Sequence, residues 1–388
     1  MDVELAIVNG TVVDPDADAT YGADLGVSGG KIVAVSRQRG QLESRQTVDA
    51  RGMLITPGLV DSHVHVYQHV SAGSLDPDDI GVRQGVCAVV DAGSFGPGNA
   101  AGFHEYVVKR AATHVYGLVN ISRNGNSTQP GEGEVLGFLR PEATAGTVAR
   151  NRVWAVGVKV RASNTAAGQL GITSTRLAKV AAREAGVPLM VHIGNGPPTL
   201  EEVCELLTAG DLITHCFHGK IGGAVTRQGQ MLPAVVAAVE RGVLLDVGHG
   251  SGSFAWDTAE QAIRLGYRPH VISTDLHRGC VNGPCFSLVK TMSKFVHLGM
   301  SLLEVVRAAS PAPARALGLG DRYGRLAEGF PANLSVVERV ERGETMWDVE
   351  KQSREVSGVI EARYAVVDGK LYQAAPDATA PKREPVRT

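Results

Sequence analysis

Leu54-Ile-Thr-Pro-Gly-Leu-Val-Asp-Ser-His-Val-His65 is a short apolar run that ends in two histidines. It predicts a strand that delivers His63 and His65 at its C-terminal end. Side chains two apart on a strand point to the same side, so this pair of imidazoles can close on one metal ion. An HxH pair taken alone is as compatible with a structural role as with ligation, and the rest of the chain has to decide.

Downstream, apolar runs of strand length alternate with amphipathic segments of helix length. Strands are expected over residues 54–65, 87–92, 114–121, 154–159, 188–193, 212–216, 243–247 and 270–273. Helices such as 175–185, 200–207, 233–241 and 255–265 fall between them. Near-continuous apolar strands mean burial on both faces, as in a parallel sheet. Eight of them with crossovers predict an α/β fold, a (β/α)8 TIM barrel. The alternative is an open doubly wound sheet, but no GxGxxG follows the first strand. Residues 301–309 and 312–317 read as helices that finish the barrel, with breaks at Pro311 and Pro313.

Upstream, residues 1–53 read as all-β. Glu4 to Asp14 predicts strand, turn, strand around Asn9-Gly10, and Gly29-Gly30 marks a second hairpin. After the barrel, turn-and-strand chemistry returns from Gly324, with another turn at Asp368-Gly369. The two chain ends are therefore expected to meet in a small composite β-sandwich domain, residues 1–53 and 320–373, beside a barrel of 54–319. Residues 374–388, rich in Pro, Ala and charge, are expected to form a mobile tail.

Composition narrows the classes. At 388 residues, 44% hydrophobic and 20% charged, the chain can bury one large core and a lesser one. A formal net charge of −2 gives no electrostatic reason to expect nucleic acid or an anionic membrane as a partner. The N-terminus carries no basic region followed by an apolar run, and no apolar span is long enough for a membrane helix. The five cysteines form no CxxC pair, and Cys87, Cys204 and Cys216 sit in apolar runs as buried thiols, so a cytoplasmic location is expected.

In a (β/α)8 barrel the active site is built at the C-terminal strand ends. Those ends carry, in order, His63 and His65, then Lys159, His192, His215 and Asp275. Their coincidence at one end of the barrel is more specific than any single motif. Lys159, inside the apolar Val156-Gly-Val-Lys-Val-Arg, is the sharpest anomaly, because a lone buried ammonium is expensive. It is either a snorkelling or ion-paired lysine or a neutral amine that adds carbon dioxide; the carbamate would offer two oxygens to two cations. His192 and His215 each follow an apolar run, where a single histidine is more often a hydrogen-bonded core residue; together they favour ligation. Asp275, in Ile272-Ser-Thr-Asp-Leu-His, suits both metal binding and proton transfer.

Taken together, Pro57-Gly-Leu-Val-Asp-Ser-His-Val-His, Lys159, His192, His215 and Asp275 resemble the binuclear amidohydrolase superfamily over nearly the whole chain. Gly329-Phe-Pro-Ala-Asn is similar to a motif of that family's small domain, with Asn333 where Asp is common. Gly157-Val-Lys-Val-Arg-Ala-Ser, Val191-His-Ile-Gly-Asn, His215-Cys-Phe-His-Gly-Lys, Ser273-Thr-Asp, Asn282-Gly-Pro and Met292-Ser-Lys-Phe resemble its dihydroorotase-like subgroup, with His218 where Asn is expected. Members of that subgroup deacetylate N-acetyl-D-amino acids or acetyl-(R)-mandelate. The resemblance implies His63, His65 and Asp275 on one metal, His192 and His215 on the other, and carboxylated Lys159 between them. It also implies two divalent ions, zinc before manganese or iron, a bridging hydroxide as nucleophile, and Asp275 as proton shuttle.

The expected activity is removal of an acyl group, acetyl first, from the amide or ester of a small carboxylate-bearing molecule. Cyclic amide hydrolysis ranks second, because dihydroorotases usually carry arginine where Tyr67 stands. A binding module without catalysis ranks lower, since no ligand position is lost, and a Schiff-base role for Lys159 lower still. Arg161 and Arg278 are the candidates for the substrate carboxylate, with Tyr67, His218 and His277 as further substrate-binding candidates. The glycine-rich loops 122–141 and 219–230 are expected to shape the substrate site. The partner expected is a small molecule, and a homo-oligomer is compatible with the chain.

Overall fold

Seven of the apolar runs form strands that lie side by side in chain order, all parallel, in the computed structural model, which describes residues 2–128 and 131–375. They are Leu59–Val64, Val86–Asp91, His114–Asn120, Ala155–Ala162, Leu189–Ile193, Leu212–Thr214 and Leu244–Asp246. The first two are buried at every residue, which is why they show no apolar–polar alternation. Helices Thr173–Ala185, Leu200–Leu206, Pro233–Glu240 and Trp256–Arg264 fall where amphipathic segments are expected. Thr199 and Glu202 close a capping box at the start of Leu200–Leu206, and Ser301 and Glu304 do so for Leu302–Ala309.

The eighth position departs from expectation. Residues 270–273 do not form a ladder strand. Val271 makes a single parallel bridge to Asp246, and Leu276 makes one to Val64. Backbone bonds from Val247 N to Val271 O (3.1 Å) and from His65 N to Leu276 O (3.0 Å) close the ring on both sides. The fold is therefore the (β/α)8 barrel, with an irregular last stave. Ser273 Oγ donates to Asp246 at 2.6 Å and Thr274 Oγ1 donates to Asp61 at 2.5 Å. Asp275 then turns into the left-handed region at φ 51°. Polar side chains hold this segment where the other staves use a ladder.

The stretch 54–65 is two strands, not one. Leu54–Pro57 belongs to an eight-stranded mixed sheet and Leu59–Val64 to the barrel. Gly58 is the joint. Its N–H donates to Asn333 O at 2.9 Å, and a Cβ there would stand 3.0 Å from the Asn333 carbonyl and from Cys87 Sγ. In the mixed sheet, Leu54–Pro57 lies between Asp2–Asp14 from the N-terminus and Leu334–Val340 from the C-terminal part, so both chain ends contribute. A core of its own, including Ile7, Leu25, Ile55 and Val336, packs beneath it.

The expected turn at Asn9-Gly10 is a bulge within one continuous strand, Asp2–Asp14. Asn9 adopts φ 64°, and its N–H and side chain are taken up by Asp24 and Asp49 on flanking strands. Partners on both sides keep the strand extended through a turn-like dipeptide. The Gly29-Gly30 and Asp368-Gly369 turns form as expected, with φ of 57°, 72°, 46° and 85°. Of the expected tail 374–388, residues 376–388 lie outside the described residues.

Candidate metal centre

The parallel ladder brings the C-terminal strand ends to one mouth. His63 Nε2 and His65 Nε2 lie 3.4 and 3.1 Å from Asp275 Oδ1. Together these three residues offer ligand atoms that all lie within 4.8 Å of one another. On the other side, His215 Nε2 lies 2.8 Å from His192 Nδ1. His63 stands between the groups, its ring centroid 5.1 Å from that of His215 and its Nε2 3.2 Å from Lys159 Nζ.

Outer contacts aim these rings. His215 Nδ1–H donates to Gly248 O at 2.6 Å, because a carbonyl only accepts. That leaves His215 Nε2 as a lone pair turned toward His192. His63 Nδ1 meets Thr214 Oγ1 and His65 Nδ1 meets Ser94 Oγ, both at 2.8 Å, so both Nε2 atoms face inward. Gly248 is required here: at φ 45°, a Cβ would stand 2.3 Å from Thr214 Oγ1 and 2.9 Å from His215 Nδ1.

Electrostatics keep the site ready for a cation. Burial lowers the pKa of His63, His192 and His215 well below the usual value, so the rings are neutral lone-pair donors. Burial alone would raise Asp275, but the His63 and His65 imidazoles beside it hold it well below the usual carboxylate range. Lys159 is 1% exposed. Burial lowers it to about 8, with Asp275 and Asp246 opposing. Its amine has Met190 Sδ at 3.5 Å besides His63, and no carboxylate in ion-pair contact among the described residues. Converging imidazoles, a carboxylate and an under-partnered buried amine, without thiolate, are a donor set that fits a divalent ion.

A cavity of about 300 Å³ opens over this cluster. Arg161 and His277 line it; Tyr67, His218 and Arg278 do not. The Tyr67 hydroxyl donates to Asn99 O and its ring packs edge-on against Phe103. His218 is buried with Nε2 unpartnered, and Arg278 is exposed. The loops expected to matter supply side chains that sequence reading did not single out: Asn126 from one and Lys220 from the other. Ser251, Gly252 and Ser253 join them from the segment after Leu244–Asp246, the strand end to which no ligand had been given. The run Gly248-His-Gly-Ser-Gly-Ser was the available signal for these.

Comparison with known proteins agrees with this geometry. A sequence model of the amidohydrolase family matches residues 54–371. A deacetylase of Agrobacterium fabrum is 34% identical over 348 residues, which are 89% of this chain and 85% of that protein. A crystal structure described as an adenine deaminase superimposes with a TM-score of 0.89 at 32% identity, covering 96% of this chain and 100% of the other. Another, described as a dihydroorotase, gives 0.88 at 33%, covering 96% and 98%. Three different activities go with one architecture, so the choice among them has to come from the site.

Proposed function

The chain belongs to the amidohydrolase family, and from that premise we propose that it removes an acyl group, acetyl first, from the amide or ester of a small carboxylate-bearing molecule. The observation that carries the reading is the convergence of His63, His65 and Asp275 beside the His192–His215 pair under one cavity. We assign His63, His65 and Asp275 to one divalent metal, His192 and His215 to a second, zinc being the first choice, with Lys159 carboxylated between them. The under-partnered amine of Lys159 supports the last assignment. Bound metal would acidify a water and polarise the scissile carbonyl.

The chain's own groups do the rest. Asp275 Oδ1 is engaged by both imidazoles, so Oδ2 is the oxygen left to take a proton and pass it to the leaving nitrogen or oxygen. Gly250 makes room for it, since a Cβ there would stand 2.5 Å from Oδ2. Arg161 and His277 line the space for the acid half of the substrate. The residues 54–319 form the catalytic unit, and 1–53 with 320–373 brace it. Five unpaired, buried cysteines support a reducing, cytoplasmic setting.

Cyclic amide hydrolysis is the second reading, favoured by the dihydroorotase-described structure. Tyr67 weighs against it, because its hydroxyl is turned to Asn99 and away from the cavity. A hydrolysis screen of metal-loaded protein with N-acetyl-L- and D-amino acids, acetylated hydroxy acids, dihydroorotate and hydantoins separates the two. Turnover of the cyclic compounds alone would sink the first reading. Metal analysis separates both from a binding module, for which no bound metal is expected.

A further inference from the structure

Beyond the ligand cluster, the cavity is lined by two basic side chains, Arg161 and Lys220. Their situations differ. Arg161 Nη1 lies 3.4 Å from Glu132 Oε2. Glu132 is 2% exposed and is held in place by Asn120 Nδ2 at 3.3 Å. The Asn126 amide, in its hydrogen-bonded orientation, donates to the same carboxylate at 2.6 Å. The charge of Arg161 is therefore balanced before any ligand arrives. A buried ion pair of this kind offers an incoming anion hydrogen bonds but little net charge.

Lys220 has no such partner. Among the described residues no carboxylate is in ion-pair contact with its Nζ, and its backbone N–H is spent on His218 Nδ1. The Nζ lies over the cavity wall, 3.8 Å from where a Cβ on Gly252 would be. Both cations line the same cavity, and burial and then the Arg161 charge lower the Lys220 pKa, with Asp275 opposing. The other lining side chains are mostly hydroxyls and amides, among them Ser71, Ser163, Asn164 and Ser251, and among the described residues they include no carboxylate besides Asp275.

We propose that Lys220 receives the carboxylate of the substrate's acid half. This rests on the acyl-hydrolase reading. Arg161, tied to Glu132, orients that carboxylate by hydrogen bonding. A charge-assisted hydrogen bond of this type makes about a 10- to 100-fold difference in affinity.

Two measurements test it. Calorimetry on metal-loaded protein compares succinate with acetate, which lacks the second carboxylate. K220M should weaken succinate about 10- to 100-fold and leave acetate unchanged, and R161M should weaken succinate less. In turnover, K220M should raise KM for N-acetylglycine with little change in kcat, and leave N-acetylglycinamide unaffected. Equal succinate affinity in wild type and K220M, including no binding in either, overturns the assignment, as does a larger loss in R161M. Lys220-dependent succinate binding without hydrolysis of any acyl compound would instead defeat the acyl-hydrolase reading and leave Lys220 as an anion anchor.

Discussion

At the scale of single residues, Asp275 and His218 give the sharpest expectations. Asp275→Asn keeps the shape of the carboxylate and removes the proton acceptor. Loss of general acid–base function lowers rates by about 10²- to 10⁴-fold. A variant that retains metal and full turnover would defeat the role given to Asp275. His218 is buried with one nitrogen unpartnered, and burial, with Lys220 nearby, pushes its pKa down to about 4. Its unfolded value is about 6.5, so between the two the unfolded chain binds the extra proton and the folded one does not. Stability contributed by neutral His218 is thus complete above about pH 6.5 and falls as the pH drops toward 4, by on the order of 3 kcal/mol in all. H218N should flatten the dependence in that window; urea midpoints at about pH 7 and pH 5 read it directly. The metal-capable residues were legible in the sequence because each lies in or just after an apolar run, a local feature. Glu132 and Lys220 were not, because their relation to Arg161 depends on how two glycine-rich loops fold over the mouth.

At the scale of elements, the joint at Gly58 connects the mixed sheet to the barrel. Gly58→Ala would press a methyl against the Asn333 carbonyl and Cys87 Sγ at 3.0 Å, both buried and one of them backbone. Overpacking of this kind costs about 1–3 kcal/mol. It should appear as a lower urea midpoint at unchanged slope, and an unshifted midpoint would mean the joint is loose. The sequence marked this stretch as strand but not as two strands, since burial on both faces looks the same in either sheet. The irregular eighth stave was misread for a related reason. Ser273 and Thr274 replace ladder bonds by side-chain bonds to Asp246 and Asp61, and those partners are distant in sequence.

At the scale of the whole molecule, two long-range devices should set stability. Lys294 is fully buried, yet its ammonium reaches His249 Nε2 at 2.7 Å, Trp347 O at 2.6 Å and Pro284 O at 3.2 Å. It fastens the Glu344–Trp347 strand to the segment behind the metal centre. Lys294→Met leaves His249 Nε2 buried and unpaired, at about 1–3 kcal/mol before relaxation; an unchanged melting temperature would refute this. The ligand cluster, joining strands from His63 to Asp275, should couple metal to folding in the same way. Metal at about 100 times its Kd adds about 2.7 kcal/mol, so chelation should lower Tm by a few degrees, reversed on adding zinc. What the sequence determined by itself was periodicity and residue type: an α/β barrel, a β unit shared by both ends, and imidazoles, amine and carboxylate at the strand ends. Those follow from local burial patterns, which any stretch of chain carries within itself. Only the tertiary structure decided where the barrel closes without a strand and which of two cations remains unneutralised. Each of these depends on distances between segments far apart in the chain, and such distances are set by packing.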